Sequence, residues 1–312
     1  MAGSVAWAKA LRISVLTATA ITPTSAVFKC LTAGNAPFIQ AALNKDIPMT
    51  TSYPLVKLLC KSPVLGCCLA LTAGCATSQP NTFTFTADLP ADFAYQAIAV
   101  YVPAKGETCT VPGGRNTEVG YNMKWRENYQ PNAEIALRRT VSGCPLVISR
   151  IKLDINATYG KTRGDFGGDS AGVVIRDELA PQYKRAFNEA GESTFFGECQ
   201  WLFRTSGKPR ILRKILDCKK TDAQGEPGRG RPFSAYTLDQ LPGKTVRMRI
   251  KLADEERPAI GNTWVKVPNG WKRCMGDNFQ DQYAFCFGNY KDFSGFQMPD
   301  GRQCTIYPGC TE

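Results

Sequence analysis

The chain has 312 residues, with 38 Lys or Arg against 27 Asp or Glu, 13 cysteines, no histidine and a formal net charge of +11. Without histidine, Ser-His and Cys-His nucleophile pairs, histidine acid–base chemistry and most metal sites are excluded. The basic residues are scattered without a long run, which argues against a nucleic-acid partner.

Residues 1–48 are fairly apolar in places, as at Val15 to Ala20. Lys57 and Lys61 then precede an uncharged apolar run from Pro63 to Ala73, which closes on Leu71-Thr72-Ala73-Gly74-Cys75. A positive n-region, a short apolar core and small residues before a cut site describe an export signal. The run is too short to span a bilayer, which takes about 20 apolar residues. Its end resembles the lipobox of a bacterial lipoprotein signal, with Thr72 where the commonest form has Leu. The resemblance implies that Cys75 is the first mature residue, with a diacylglyceryl group on its thiol and an acyl chain on its amine. At about 0.8 kcal/mol per buried methylene, several acyl chains make a lasting membrane anchor. Ala76, rather than Asp, implies sorting to the outer membrane, facing the periplasm. Export signals work at an N-terminus, and Met49 stands just upstream of Thr50-Thr51-Ser52. Residues 1–48 are therefore expected to be a start-site artefact or a leader, 49–74 the signal and 75–81 a tether.

From Cys75 onward there are 32 basic and 26 acidic residues, an excess that allows a modest attraction to anionic lipid head groups or an acidic partner. Eight cysteines remain: Cys109, Cys144, Cys199, Cys218, Cys274, Cys286, Cys304 and Cys310. An even number after an export signal reads as a disulfide framework. Zinc is a poor rival, because this part has neither Cys-x-x-Cys nor histidine. No cofactor is expected.

Thr82 to Thr86 and Gln96 to Val102 alternate with β-branched content and read as strands. Asn122 to Tyr129 is ambiguous. Glu134 to Arg139 and Pro145 to Tyr159 suggest a hairpin around Ser142-Gly143. Gly160 to Gly172 reads as a glycine-rich loop and Val173 to Arg176 as a short strand. Leu179, Tyr183 and Phe187 recur every four residues, which predicts one short amphipathic helix over 178–192. Phe195 to Arg204 and Ile211 to Asp217 flank the turn Thr205 to Pro209. Cys199 and Cys218 are symmetric about Lys208-Pro209, so a hairpin would bring them within disulfide reach. Lys219 to Pro232 reads as a mobile basic loop, and Thr245 to Ala253 as a strand with Val246, Met248, Ile250 and Leu252 inward. The last 50 residues combine aromatics with four cysteines and predict a short-stranded, stapled end.

The expected fold is all-β: two sandwich-like, β-rich lobes, 82–177 and 193–312, stapled by disulfides and joined by the helix at 178–192. Candidate chemistry is sparse. Gly168-Asp169-Ser170-Ala171-Gly172 resembles the nucleophile segment of trypsin-like proteases, but no histidine can activate Ser170, leaving only a Ser-Lys dyad with Lys161. Arg163-Gly164-Asp165 spells an adhesion tripeptide, but three-letter motifs recur by chance and a glycine-centred turn is the favoured reading. Asp165, Asp169 and Glu255 are the carboxylates from which an envelope hydrolase would draw. Arg210, Arg213, Lys214, Arg229 and Arg231 form a candidate basic surface for an acidic partner, although lysines and arginines also guard sheet edges. The segments GECQWLF, GWKRC and CTIYPGC resemble small lipoproteins encoded beside type VI secretion phospholipase effectors. That resemblance implies an immunity protein that captures a secreted toxin, and a non-enzymatic role. A structural envelope-assembly lipoprotein is the further alternative.

Overall fold

The computed structural model describes residues 79–311 apart from 114, 279, 280 and 282. The leader, the signal and Cys75 lie outside the described residues. The chain is all-β. Its body runs through β1 (Thr82–Asp88), β2 (Phe93–Pro103), β3 (Glu118–Tyr121), β4 (Asn132–Ala136), β5 (Arg138–Val141), β6 (Cys144–Thr158), β7 (Phe166–Arg176), β8 (Glu192–Ser206), β9 (Ile211–Thr221), β10 (Phe233–Thr237) and β11 (Thr245–Leu252). A terminal module follows with β12 (Arg257–Pro258), β13 (Trp264–Val267), β14 (Gly270–Cys274), β15 (Phe293–Ser294), β16 (Phe296–Gln297), β17 (Gln303–Cys304) and β18 (Tyr307–Pro308).

The first sheet has the order β17-β16-β9-β8-β11-β1-β4, with β12 beside β8. The second runs β10-β7-β6-β2-β3, with β5 beside β6. Both therefore mix strands from 82–177 and 193–312, and those halves are not separate lobes. β1 pairs in parallel with β11, and β7 with β10. One core is shared between the sheets, built on Phe83, Phe85, Tyr95, Leu153, Phe195 and Val246. Phe85 and Tyr95 meet edge to face at 5.2 Å; full burial of each such ring contributes about 1.5–3 kcal/mol.

The expected helix is absent. Within 178–192 only Pro181–Tyr183 forms a 3₁₀ turn, and Tyr183 is 64% exposed. Ala180 is extended (ψ 142°), as steric conflict with a following proline favours. Phe187 reaches the core by stacking on Tyr236. The hairpin about Ser142-Gly143 forms, but from β5 and β6. Glu134 belongs instead to β4 and pairs with β1 in the other sheet, so buried Leu137 marks a crossing between sheets. The glycine-rich loop is also shorter than expected, because β7 already begins at Phe166. Residues 222–232 form a folded turn: Lys220 bonds to Gly230, and Asp222 accepts the N–H groups of Gln224 and Glu226.

Four disulfides close within the fold: Cys109–Cys144, Cys199–Cys218, Cys274–Cys286 and Cys304–Cys310. Cys199 faces Cys218 directly in the antiparallel register of β8 and β9. On the outer face of the first sheet, Arg247 joins Asp88 and Glu192 at 2.8 Å each. Its hydrogen bonds hold the Glu192 carboxyl below its ordinary range. A second small core joins the terminal module to the β8–β9 hairpin: Phe203 and Leu212 of the hairpin pack with Trp264, Phe296 and Tyr307. Gly270 sits at φ +139°, and a Cβ there would overlap the Tyr307 carbonyl, so only glycine permits β14 to pair with β18.

Candidate functional site

Each of the carboxylates nominated by the sequence is held by a basic partner. Asp165 is buried and accepts a hydrogen bond from the Thr162 N–H at 2.9 Å and an ion pair from Arg213 at 3.2 Å. Asp169 points between the sheets, where it accepts the Cys218 N–H at 2.7 Å and meets Arg231 at 2.8 Å. Both carboxylates thus tie β7 to the hairpin strand β9 or to the turn after it. Gly167 lies between them because Trp201 packs against its backbone, 2.6 Å from where a Cβ would be. Glu255 lies at the surface, bound to Lys266 at 2.5 Å, and that bond lowers its pKa.

Ser170 stands in the extended run of β7, opposite Asp154. Four residues of strand separate it from Phe166, about 13 Å, and Lys161 lies beyond that point in the turn. The buried Asp165 also withdraws the Arg163-Gly164-Asp165 tripeptide from presentation.

The basic positions divide. Arg210 is a correction to the expected surface: it is 3% exposed, and its guanidinium donates to the carbonyls of Met275 and Asn278 at 2.9 and 3.0 Å. Lys214 is enclosed as well. It pairs with Glu256 at 2.6 Å and lies 5.7–5.9 Å from the rings of Tyr159, Trp201 and Tyr307. Tyr307 also donates to Glu256, and burial together with that carboxylate keeps its phenol protonated far above the ordinary range. Arg213 and Arg231 are half-open but engaged by Asp165 and Asp169. Arg229 is exposed on the turn. The five residues do not make one basic face.

An open groove does form on the second sheet. A cavity of about 720 Å³ is lined by Met123, Trp125, Arg126 and Phe166, with Gln96 and Asn156 at its floor. A further cavity of about 300 Å³ continues past the same Gln96 and Asn156 to Asp154, Ser170 and Arg231. The Arg126 guanidinium lies 4.8 Å from the Trp125 ring and 4.7 Å from that of Phe166, and donates to the Arg163 carbonyl at 2.7 Å. Met123 and Phe166 are 54% and 44% exposed. The segment carrying these side chains is fixed from below. Asn122, at φ +54°, bonds Gln130 through both its amide nitrogen and its carbonyl oxygen, and Gln96 donates to the Met123 carbonyl. Asn tolerates that left-handed conformation better than most residues. Asn156 donates to Gln96 at 3.3 Å.

Sequence reasoning passed over Met123, Trp125, Arg126 and Phe166. The available signal was a Met, a Trp and an Arg close together in a segment without strand or helix period. No family model, curated protein or solved structure matches the chain.

Proposed function

We propose that the chain is a non-catalytic binding protein of the bacterial envelope, lipid-anchored through Cys75 to the outer membrane and facing the periplasm. It captures a protein partner in the groove of Trp125, Arg126 and Phe166. The observation that carries this reading is the Met-Trp-Arg-Phe cluster, exposed at Met123, Arg126 and Phe166 and half-buried at Trp125, on a backbone already held in place. Trp, Arg, Met and Phe are enriched where protein interfaces concentrate their binding energy, and a fixed surface loses little entropy on binding. The opposing enzymatic reading has less support, since Asp165 and Asp169 are occupied as inter-sheet ties. The partner implied by the lipoprotein resemblance is a secreted phospholipase toxin. A membrane-bound inhibitor would meet such a toxin at its target, at raised effective concentration.

The test uses cells in which a phospholipase encoded beside this gene is directed to the periplasm. The wild-type chain is expected to protect them. Trp125→Ala with Phe166→Ala is expected to fold and be anchored normally yet lose protection, since each hot-spot truncation costs about 2 kcal/mol or more. Full protection by that variant sinks the groove as the capture surface. A neighbourhood of envelope-assembly genes, with no lipase, favours the structural alternative. The anchor has its own expected outcome: Cys75→Ser takes up no labelled palmitate and accumulates as precursor. Normal labelling of that variant would overturn the lipoprotein reading.

A further inference from the structure

The strand directions within the described body give it two distinct ends. β1, β6, β8 and β11 start at one end, where β2, β4, β7 and β10 finish. The described chain enters at this end, at Gln79. Phe166 and the groove lie toward the opposite end, since the 11 residues of β7 run from Phe166 to Arg176, about 33 Å at strand rise.

The entry end carries the 3₁₀ turn that replaced the expected helix. Tyr183, Lys184 and Arg185 are all exposed on it. The turn is tied to the chain entry in two steps. Gln240 donates to the Arg185 carbonyl at 2.9 Å. Its neighbour Asp239 lines a cavity of about 470 Å³ together with Gln79, Pro80, Arg138 and Asp177. Arg138 is exposed and exchanges hydrogen bonds with Asn81. Asp177, Glu178 and Asp239 are exposed at the same end, and Asp239, its pKa lowered by the Thr237 hydroxyl and by the nearby Lys184, stays charged.

We infer that this end, through Tyr183, Lys184, Arg185 and Arg138, rests on the anionic surface of the bilayer, holding the groove away from the membrane. The inference rests on acylation at Cys75. Four residue steps separate Cys75 from Gln79, at most about 14 Å of extended chain. Tethering so short keeps the entry end within about two Debye lengths of the head groups at physiological salt. An exposed tyrosine beside Lys and Arg suits that boundary: the ring sits at head-group level while the charged tips reach the phosphates. Basic residues near an anionic leaflet are attracted to it, which orients a body that the anchor already holds.

The experiment places the full acylated protein in vesicles of phosphatidylethanolamine and phosphatidylglycerol and follows lysine acetylation by mass spectrometry. The reference is the same protein after the vesicles are dissolved in neutral detergent. Lys184 is expected to react several-fold more slowly on vesicles, whereas Lys124 beside the groove and Lys266 in the terminal module react at unchanged rates. With Tyr183→Ser, Lys184→Gln and Arg185→Gln combined, protection at the neighbouring Lys244 is expected to fall. Equal reactivity of Lys184 in both settings, with the acyl mass present on Cys75, overturns the membrane-facing surface but leaves the lipoprotein reading standing. A chain with no acyl group on Cys75 overturns both.

Discussion

Replacing Arg273 by methionine is expected to unfold the terminal module while the body of the protein stays folded. Arg273, in β14, is 2% exposed. Its guanidinium donates to the Thr205 hydroxyl at 2.9 Å and to the carbonyls of Thr263, Ala284 and Tyr283 at 2.5, 3.0 and 2.5 Å. It also lies 5.5 Å from the Trp264 ring. Burial, then repulsion from Arg210, pushes its pKa down to about 10, so it remains charged at neutral pH. Methionine would keep the apolar stem but leave four oxygen acceptors without their donor. Each buried acceptor left without its donor costs about 1–3 kcal/mol. This is a large share of what a small module can hold. Hydrogen exchange is expected to show lost protection from Trp264 to Tyr307 and retained protection in β6 and β8. A change confined to less than about 1 kcal/mol would mean that water replaces the guanidinium cheaply.

The same side chain bears on the surface of the module. Arg273 fixes the backbone beneath Tyr283, while Tyr283 and Phe287 remain 55% and 65% exposed. Those rings are held out by a pinned loop, closed by Cys274–Cys286. Loss of Arg273 should therefore raise protease cleavage between 275 and 292 before any other segment is cut.

The second large effect is expected from Cys199→Ala with Cys218→Ala. The bridge closes a sequence separation of 19 between two cysteines with no exposed surface. The chain-entropy estimate for such a loop is about 3 kcal/mol. Cysteines buried in the shared core would also leave a small void when truncated. For a body of this size the expected fall in Tm is about 10 °C, read by thermal denaturation under non-reducing conditions. Alanine is preferred to serine because a buried hydroxyl without a partner adds its own cost. Reducing the wild-type protein opens all four bridges and should lower its Tm at least to that of the variant. If reduction and substitution both leave Tm unchanged, the unfolded chain is already constrained at this hairpin by other means.

The hairpin also shows how far the sequence reaches. Its register was legible because both strands and the turn lie within about 20 residues, and a local symmetry placed Cys199 opposite Cys218. The neighbours of that hairpin were not legible. Arg210, Arg213 and Lys214 read as an edge guarded by charge, yet the start of β9 is covered, where Ile211 pairs with Gln297 of β16. Arg210 consequently serves the terminal module and Lys214 an aromatic enclosure. Likewise the four-residue spacing of Leu179, Tyr183 and Phe187 matched a helix, but short helices are marginal without a surface to bury. Pro181 and the pull of Tyr236 on Phe187 favoured an irregular path.

Alternation in Thr82 to Thr86, Lys152 to Asn156 and Thr245 to Lys251 determined that the chain is β, because a period of two leaves only one face to bury. An even number of cysteines after an expected export signal pointed to a disulfide framework, and four bridges form. The tertiary structure alone decided that 82–177 and 193–312 interleave, since the parallel pairing of β1 with β11 joins residues more than 150 apart and leaves no local trace. It alone decided the use of Asp165 and Asp169, whose carboxylates look the same in a sequence whether they face solvent or another sheet. The groove was decided there too: Trp125, Arg126 and Phe166 come together only when the 122–130 segment folds over the start of β7.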